Sequence, residues 1–165
     1  MKTITKFTYP LFAALALACF AVLSTAQAVS PTPDGGYPGW NTAEGSGALF
    51  NLTTGGFNTA IGAHALYGNT TGPSNTAVGA WSLAANSSGY QNVATGQGAL
   101  RNNTTGAANT ATGFQALFQN TIGDGNVAVG IAALFANTTG GGNTAAGFVA
   151  MHDNTTGIGN TRLRL

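Results

Sequence analysis

The side chains that could carry out catalysis or bind a metal ion are few and far apart. Two histidines and four acidic residues are present in all: His64, His152, Asp34, Glu44, Asp124 and Asp153. General acid–base catalysis needs paired groups with perturbed pKa values in one cleft. The two histidines occupy different positions of a short repeat, five copies apart, so no shared metal ion or proton relay is expected. We interpret each as an exposed, variable residue, and the sequence predicts a non-enzymatic protein without cofactor or metal.

A recurring polar motif is Asn-Thr-Thr-Gly. Calcium-binding repeats place aspartates in such a glycine-rich turn, whereas this motif offers neutral oxygens only, so no calcium site is expected. The turn that holds this motif also contains possible glycosylation sequons, at Asn51, Asn69, Asn86, Asn102, Asn103, Asn137 and Asn154. The favoured alternative is structural, because asparagine and threonine cap tight turns through side-chain-to-backbone hydrogen bonds and glycine supplies a positive φ.

The same turn contains a regular column of hydroxyl groups: Thr53, Thr70, Ser87, Thr104, Thr121, Thr138 and Thr155. Flat arrays of threonine are what ice-binding solenoids present, which makes ice binding one hypothesis for this column. Turn capping is the favoured alternative, since the column lies in a turn and not in the middle of a strand.

Charged residues make up only 5% of the chain. Between residues 45 and 161 they are Arg101, Asp124 and Asp153. Binding to a phosphate backbone requires a basic patch, so a nucleic-acid partner is not expected. Disordered chains usually combine high charge with few apolar residues, so this composition indicates a folded chain that hides its faces by stacking or association.

The elements that must position these residues follow a strict repeat. An asparagine recurs every 17 residues, at Asn41, Asn58, Asn75, Asn92, Asn109, Asn126, Asn143 and Asn160. Numbered from this asparagine, the unit has Ala at position 3, Gly at positions 5 and 15, and Leu or Met at position 9, with few exceptions. A fixed short period predicts a solenoid. The glycines forbid long helices, so we expect an all-β parallel solenoid (β-roll) with one repeat per coil, about seven coils and two short strands per coil.

Strand alternation assigns the faces of each predicted strand. In the first strand, positions 1 and 3 share the inner side, where the repeated asparagines would form an amide ladder between coils. In the second strand, position 8 and its neighbours form one apolar face and position 9 forms another. A single coil can bury only one of these faces, so the other predicts contact with further copies of the chain. The candidate contacts are Leu49, Leu66, Leu83, Leu100, Leu117, Leu134, Met151, Phe118 and Phe135.

Residues 1–28 have the features of a secretory signal peptide. They contain a basic start, an apolar segment from Leu11 to Leu23 and a small-residue cleavage site, with cleavage predicted before Val29. The apolar segment is shorter than the ~20 residues of a membrane-spanning helix, so membrane contact is expected only through the cleaved signal. Cys19, the only cysteine, lies inside this segment, and the mature chain would therefore form no disulfide.

The remaining chain divides into three parts. Residues 29–40 are rich in Pro and Gly and are predicted to be a linker, residues 41–161 carry the repeats, and residues 162–165 form a short tail.

Three segments carry a family resemblance: NTAIGAHAL (58–66), NTAVGAWSL (75–83) and NVAVGIAAL (126–134). They resemble the head repeats of YadA-like trimeric autotransporter adhesins, and related repeats occur in phage tail-fibre-like proteins. The resemblance spans about residues 41–161. It implies a left-handed β-roll that assembles as a trimer outside a bacterial cell and serves adhesion. The repeats of that family are shorter, so the Asn-Thr-Thr-Gly turn resembles an enlarged corner.

These observations predict a secreted or surface-displayed bacterial protein. We expect a structural or adhesin-like repeat protein that forms a homo-oligomer, a trimer by the resemblance. One alternative is a self-assembling extracellular fibre whose coils stack end to end, and another is the ice-binding solenoid.

Overall fold

The chain folds as a stack of similar coils. The computed structural model describes residues 39–164, so the predicted signal peptide at 1–28 and nearly all of the predicted linker lie outside the described residues. Eight strands of three residues form one parallel sheet in chain order. They are β1 (Thr42–Glu44), β2 (Thr59–Ile61), β3 (Thr76–Val78), β4 (Val93–Thr95), β5 (Thr110–Thr112), β6 (Val127–Val129), β7 (Thr144–Ala146) and β8 (Thr161–Leu163).

Each strand pairs with the strand one repeat later, at identical repeat positions. Ala60 of β2, for example, lies opposite Ala43 of β1 and Ala77 of β3. β-Branched residues at positions 2 and 4 favour the extended backbone, while the alanine between them points inward and is buried. The predicted parallel β-solenoid with one 17-residue repeat per coil is therefore confirmed.

The prediction of a second strand in each coil is wrong. Within residues 39–164 each repeat contributes one strand, and positions 5–11 follow a series of turns instead. The position-9 leucines adopt a left-handed backbone, with φ of 51° at both Leu66 and Leu100. This conformation costs a non-glycine residue about 1–2 kcal/mol. Hydrogen bonds between coils support it, because the N–H of Leu66 donates to the carbonyl of Ser82 over 3.0 Å and that of Leu100 to Ala116 over 3.0 Å.

The left-handed residue changes the direction of the position-9 side chains. Alternation of side chains between two faces applies to extended backbone only, so positions 8 and 9 both point into the coil and pack against the alanines of position 3. Six leucines of the column are buried within the single chain: Leu49, Leu66, Leu83, Leu100, Leu117 and Leu134. The prediction that these leucines contact a partner chain is wrong, because they form the apolar core. Met151, at the same position, is partly buried against this core.

The predicted asparagine column forms an amide ladder inside the coils. The side chain of Asn109 donates to the side-chain oxygen of Asn92 over 3.1 Å and to the carbonyl of Gly123 over 2.8 Å. Its own oxygen accepts from the backbone N–H of Asn126 at 2.9 Å and from that residue's amide at 3.1 Å. Both amide hydrogens and both lone pairs of a buried side chain are thus satisfied.

A second asparagine ladder runs along position 12, where only a turn was expected. The side chain of Asn103 donates to Asn86 Oδ1 over 2.8 Å and accepts from the amide of Asn120 over 2.8 Å. The same bonds link the whole column of Asn69, Asn86, Asn103, Asn120, Asn137 and Asn154. Four of the sequon asparagines, at 69, 86, 103 and 137, therefore have buried, hydrogen-bonded amides in the folded chain.

The position-15 glycines join the two ladders. The carbonyl of Gly106 accepts from Asn92 over 2.8 Å and from Asn103 over 2.9 Å. A Cβ added at Gly106 would lie 2.5 Å from both Asn103 Oδ1 and the carbonyl of Gly123, so no side chain fits. Lack of space, and not a positive φ, selects glycine here. The positive φ expected in this turn occurs instead at the position-5 corner, as at Gly113 with φ of 132°.

The neighbouring residues Asn102 and Asn103 allow a matched test of the ladder. Asn103→Ala removes a buried amide, so that Asn86 Oδ1 loses its donor, the Asn120 amide loses one of its two acceptors and the Gly106 carbonyl keeps only Asn92. We expect the free energy of unfolding to fall by about 2–4 kcal/mol, since each unsatisfied buried group costs about 1–3 kcal/mol. Guanidinium unfolding followed by circular dichroism measures the change.

The control is Asn102→Ala. Asn102 is half-buried and its side chain makes no hydrogen bond among the described residues, so the change should stay within about 0.5 kcal/mol. Equal effects of the two substitutions would contradict a stabilising role for the ladder.

Candidate interaction surfaces

An aromatic ridge follows the outside of positions 7 and 10 along the stack. We use this name for eight residues: Phe50, Tyr67, His64, Trp81, Arg101, Phe118, Phe135 and His152. Phe118 and Phe135 stack with ring centroids 5.2 Å apart, and Phe135 and His152 with centroids 5.0 Å apart. Because coils lie ~4.8 Å apart, planar side chains at the same repeat position stack naturally.

The ridge continues through coils that lack an aromatic residue at position 10. In the third coil this position is Ala84. The ring of that coil is instead Trp81 at position 7, which stacks on His64 with ring centroids 4.2 Å apart. In the fourth coil the guanidinium carbon of Arg101 lies 4.9 Å from the Trp81 ring centroid and 5.7 Å from that of Phe118. A cation over an aromatic face is attractive, so Arg101 bridges two aromatic groups.

Stacking covers most ring faces of the ridge. The planes of Phe118 and Phe135 differ by 5°, and those of His64 and Trp81 also by 5°. Inner rings therefore direct their edges to solvent, while their faces contact neighbouring coils. The ridge stabilises the stack, and it offers few open ring faces on which a ligand could stack. Two predicted contact candidates, Phe118 and Phe135, lie here half-buried.

Both histidines belong to the ridge, which differs from the expectation that they are exposed, variable residues. His64 is partly buried, and its Nδ1 has no hydrogen-bond partner. His152 is partly buried, and its Nδ1 lies 2.6 Å from Asp153 Oδ1. Residues 39–164 contain no group of three His, Cys, Asp or Glu side chains that could hold a metal ion.

A second surface is the strand face, by which we mean the outward side chains at positions 2 and 4 of β2–β7. This face carries Thr, Val, Ile and Ala and no charge. Ile61 exposes 42% and Val129 exposes 44% of its surface. The hydroxyls of its threonines, such as Thr95 and Thr112, make no hydrogen bond to other described residues. The strand face is therefore a regular, uncharged and exposed array of β-branched side chains.

The turn hydroxyl column is used within the fold. Thr70 Oγ1 donates to the carbonyl of Ser87 over 3.0 Å, and Thr104 Oγ1 to the carbonyl of Thr121 over 3.0 Å. The column therefore forms coil-to-coil bonds along the stack. These hydroxyl hydrogens are donated within the fold, as the turn-capping alternative requires; ice binding by this column stays a hypothesis.

The last described strand places a charge at an inward repeat position. Arg162 of β8 lies opposite Ala145 of β7, in the column that holds buried alanine in the other coils. The Arg164 side chain donates to the carbonyl of Val149 over 3.4 Å. Both arginines line an open cavity of about 380 Å³ beside His152 and Asp153. A coil stacked on β8 would cover the Arg162 side chain.

No protein-family model, curated protein or solved structure matches this chain. The likeness to YadA-like head repeats is therefore carried by the sequence motifs alone. No helix long and apolar enough to cross a membrane occurs between residues 39 and 164.

Phe118 and Phe114 lie in the same coil, but only Phe118 belongs to the ridge. Substituting each residue tests whether the ridge contributes more to stability than another exposed aromatic side chain does. Phe118→Ala removes a stacked ring and the contact with Arg101, so we expect a loss of stability of about 2 kcal/mol, from buried area plus the ~0.5–1.5 kcal/mol of an aromatic pair. Phe114 exposes 45% of its surface and stacks on no ring, so Phe114→Ala should have a much smaller effect. Thermal unfolding of both variants measures the difference, and a larger effect at Phe114 would contradict the ridge's stabilising role.

Proposed function

We propose that this protein is a secreted or surface-displayed bacterial structural repeat protein that mediates attachment and has no enzymatic activity. The observation that carries the proposal is the strict coil register, which repeats outward side chains along a rigid axis. The asparagine-to-asparagine bonds of both ladders join neighbouring coils. The outer positions vary without disturbing these contacts, as in other repeat proteins that bind through extended surfaces.

Attachment is tested by the mature chain itself. Beads coated with residues 29–165 should be retained on arrays of extracellular glycans and matrix proteins, and beads coated with an unrelated β-solenoid of similar charge should not. Retention on no spot of the array would contradict an adhesive function.

The strand face is the surface we propose for the homo-oligomer, a trimer by the family resemblance. With the leucine column buried, this face is the broad uncharged surface that remains to be covered. Its β-branched side chains are rigid at χ1, so ordering them in an interface costs little conformational entropy. Three such faces would surround a common axis parallel to the coil stack.

A charge in the middle of the strand face should dissociate the oligomer. Val129→Glu would bury a carboxylate without a partner, and sedimentation velocity at micromolar concentration should show a shift to the monomer mass. The matched control is Thr139→Glu, an exposed position in the turn outside this face, which should keep the oligomer. Circular dichroism checks that both variants are folded. A monomeric parent protein would contradict the proposal outright.

The alternative function is a self-assembling fibre. Among the described strands, β1 and β8 each have one edge that pairs with no other strand, so a second copy could extend the parallel sheet there. Arg162 opposes this, because an added coil would cover its charge beside an alanine column. Electron microscopy over a range of concentrations distinguishes the two functions: filaments that lengthen with concentration support the fibre, and particles of constant size support the closed oligomer.

A further inference from the structure

The aromatic ridge is interrupted in the fourth coil by a small cavity beside Gly98 and Arg101, which we call the notch. Gly98 occupies position 7 there, between Trp81 in the coil before and Gln115 in the coil after. A Cβ at Gly98 would lie 3.4 Å from the Phe118 ring, so any side chain would begin to fill the space. The cavity measures about 60 Å³, and the side chains around it are those of Trp81, Gln97, Arg101, Phe114, Gln115 and Phe118. This volume suits one small functional group of a larger ligand.

Arg101 gives the notch a positive charge that no acidic side chain among residues 39–164 neutralises. Within that range no hydrogen bond engages the Arg101 guanidinium. Its guanidinium carbon lies 4.9 Å from the Trp81 ring centroid and 5.7 Å from that of Phe118. A guanidinium carries a planar fork of N–H donors that matches a carboxylate.

The surroundings of Arg101 add two further kinds of contact. Gln97 and Gln115 offer amide donors and acceptors beside the cation, and neither side-chain amide makes a hydrogen bond within residues 39–164. Phe114 exposes 45% of its surface and stacks on no ring of residues 39–164. A cation, two amides and a partly exposed aromatic ring therefore lie around one opening.

We propose that this notch binds the carboxylate of an acidic saccharide, a hexuronic acid unit within a longer glycan. Such a sugar combines a carboxylate for Arg101, hydroxyls for the two glutamines and an apolar C–H face for Phe114. An acidic peptide would satisfy the cation alone, since the notch has no exposed strand edge to pair with a peptide backbone. The inference rests on the attachment function proposed above and names its ligand class.

Fluorescence of Trp81 reports on the notch. In a Trp40→Phe background, Trp81 is the only tryptophan of the chain, and it lies beside Arg101. Titration with tetragalacturonic acid should change its emission in a saturable way that weakens with added salt. The fully methyl-esterified tetrasaccharide, which lacks the charge, should bind at least tenfold more weakly.

Substitutions distinguish binding in the notch from non-specific attraction to the positive charge of the protein. Arg101→Gln should weaken binding of tetragalacturonic acid at least tenfold, and Arg101→Lys should weaken it severalfold, because lysine keeps the charge and loses the fork. Arg162→Gln is the matched control, since it removes the same charge outside the notch and should leave binding unchanged. Circular dichroism melting checks that each variant is folded.

Several results would overturn the inference. These are no saturable binding to the parent protein, equal binding by the methyl ester, equal losses for Arg101→Gln and Arg162→Gln, or equal binding of tetraglutamate, which would indicate an acidic-peptide site. Bead retention on the glycan and matrix arrays is measured separately. Beads retained without binding of tetragalacturonic acid would reject the notch and keep the attachment function, whereas no retention at all would reject the attachment function.

Discussion

Satisfaction of buried amides is the constraint on which this structure depends. Two columns of asparagine fill one side of the coil interior, and an isolated buried amide is costly to leave unpaired. Each amide bonds the asparagines of the coils directly before and after it and a glycine carbonyl of its own coil, as Asn109 does with Asn92, Asn126 and Gly123. A coil with one residue more or fewer would shift every later asparagine out of reach. The constant 17-residue period follows from this requirement.

The remaining interior is built around the ladders. The shared glycine carbonyl at position 15 links the two columns across the coil, and the crowding around Gly106 leaves no room for a side chain. Opposite this polar side, small alanines and a column of leucines form the apolar core. The left-handed backbone at position 9 is strained, yet it directs the leucine inward, where burial of a full side chain is worth about 1.5–3 kcal/mol.

Outside the coil, the same stacking creates surfaces with different properties. Planar side chains at equivalent positions stack into the aromatic ridge, and β-branched residues form the flat strand face. Charge is so sparse that a single cation, Arg101, distinguishes one coil of the ridge from the others. Outward positions can depart from the repeat, because the ladders and the core fix the inward positions. Gly98 and Arg101 are departures of this kind.

The sequence by itself determined the period, the parallel coil, the inward alanines and the first asparagine ladder, because each follows from strict spacing and from the geometry of an extended strand. The wide spacing of most acidic and histidine side chains led to the prediction of a non-enzymatic protein, which stays a prediction. Only the tertiary structure decided the direction of the leucine column and the second ladder at Asn103. The first depends on a positive φ that leucine rarely adopts, and the second on contacts between residues 17 positions apart that a turn motif does not reveal. Alternation and turn propensities are local rules, whereas in this fold the neighbouring coils set the backbone conformation.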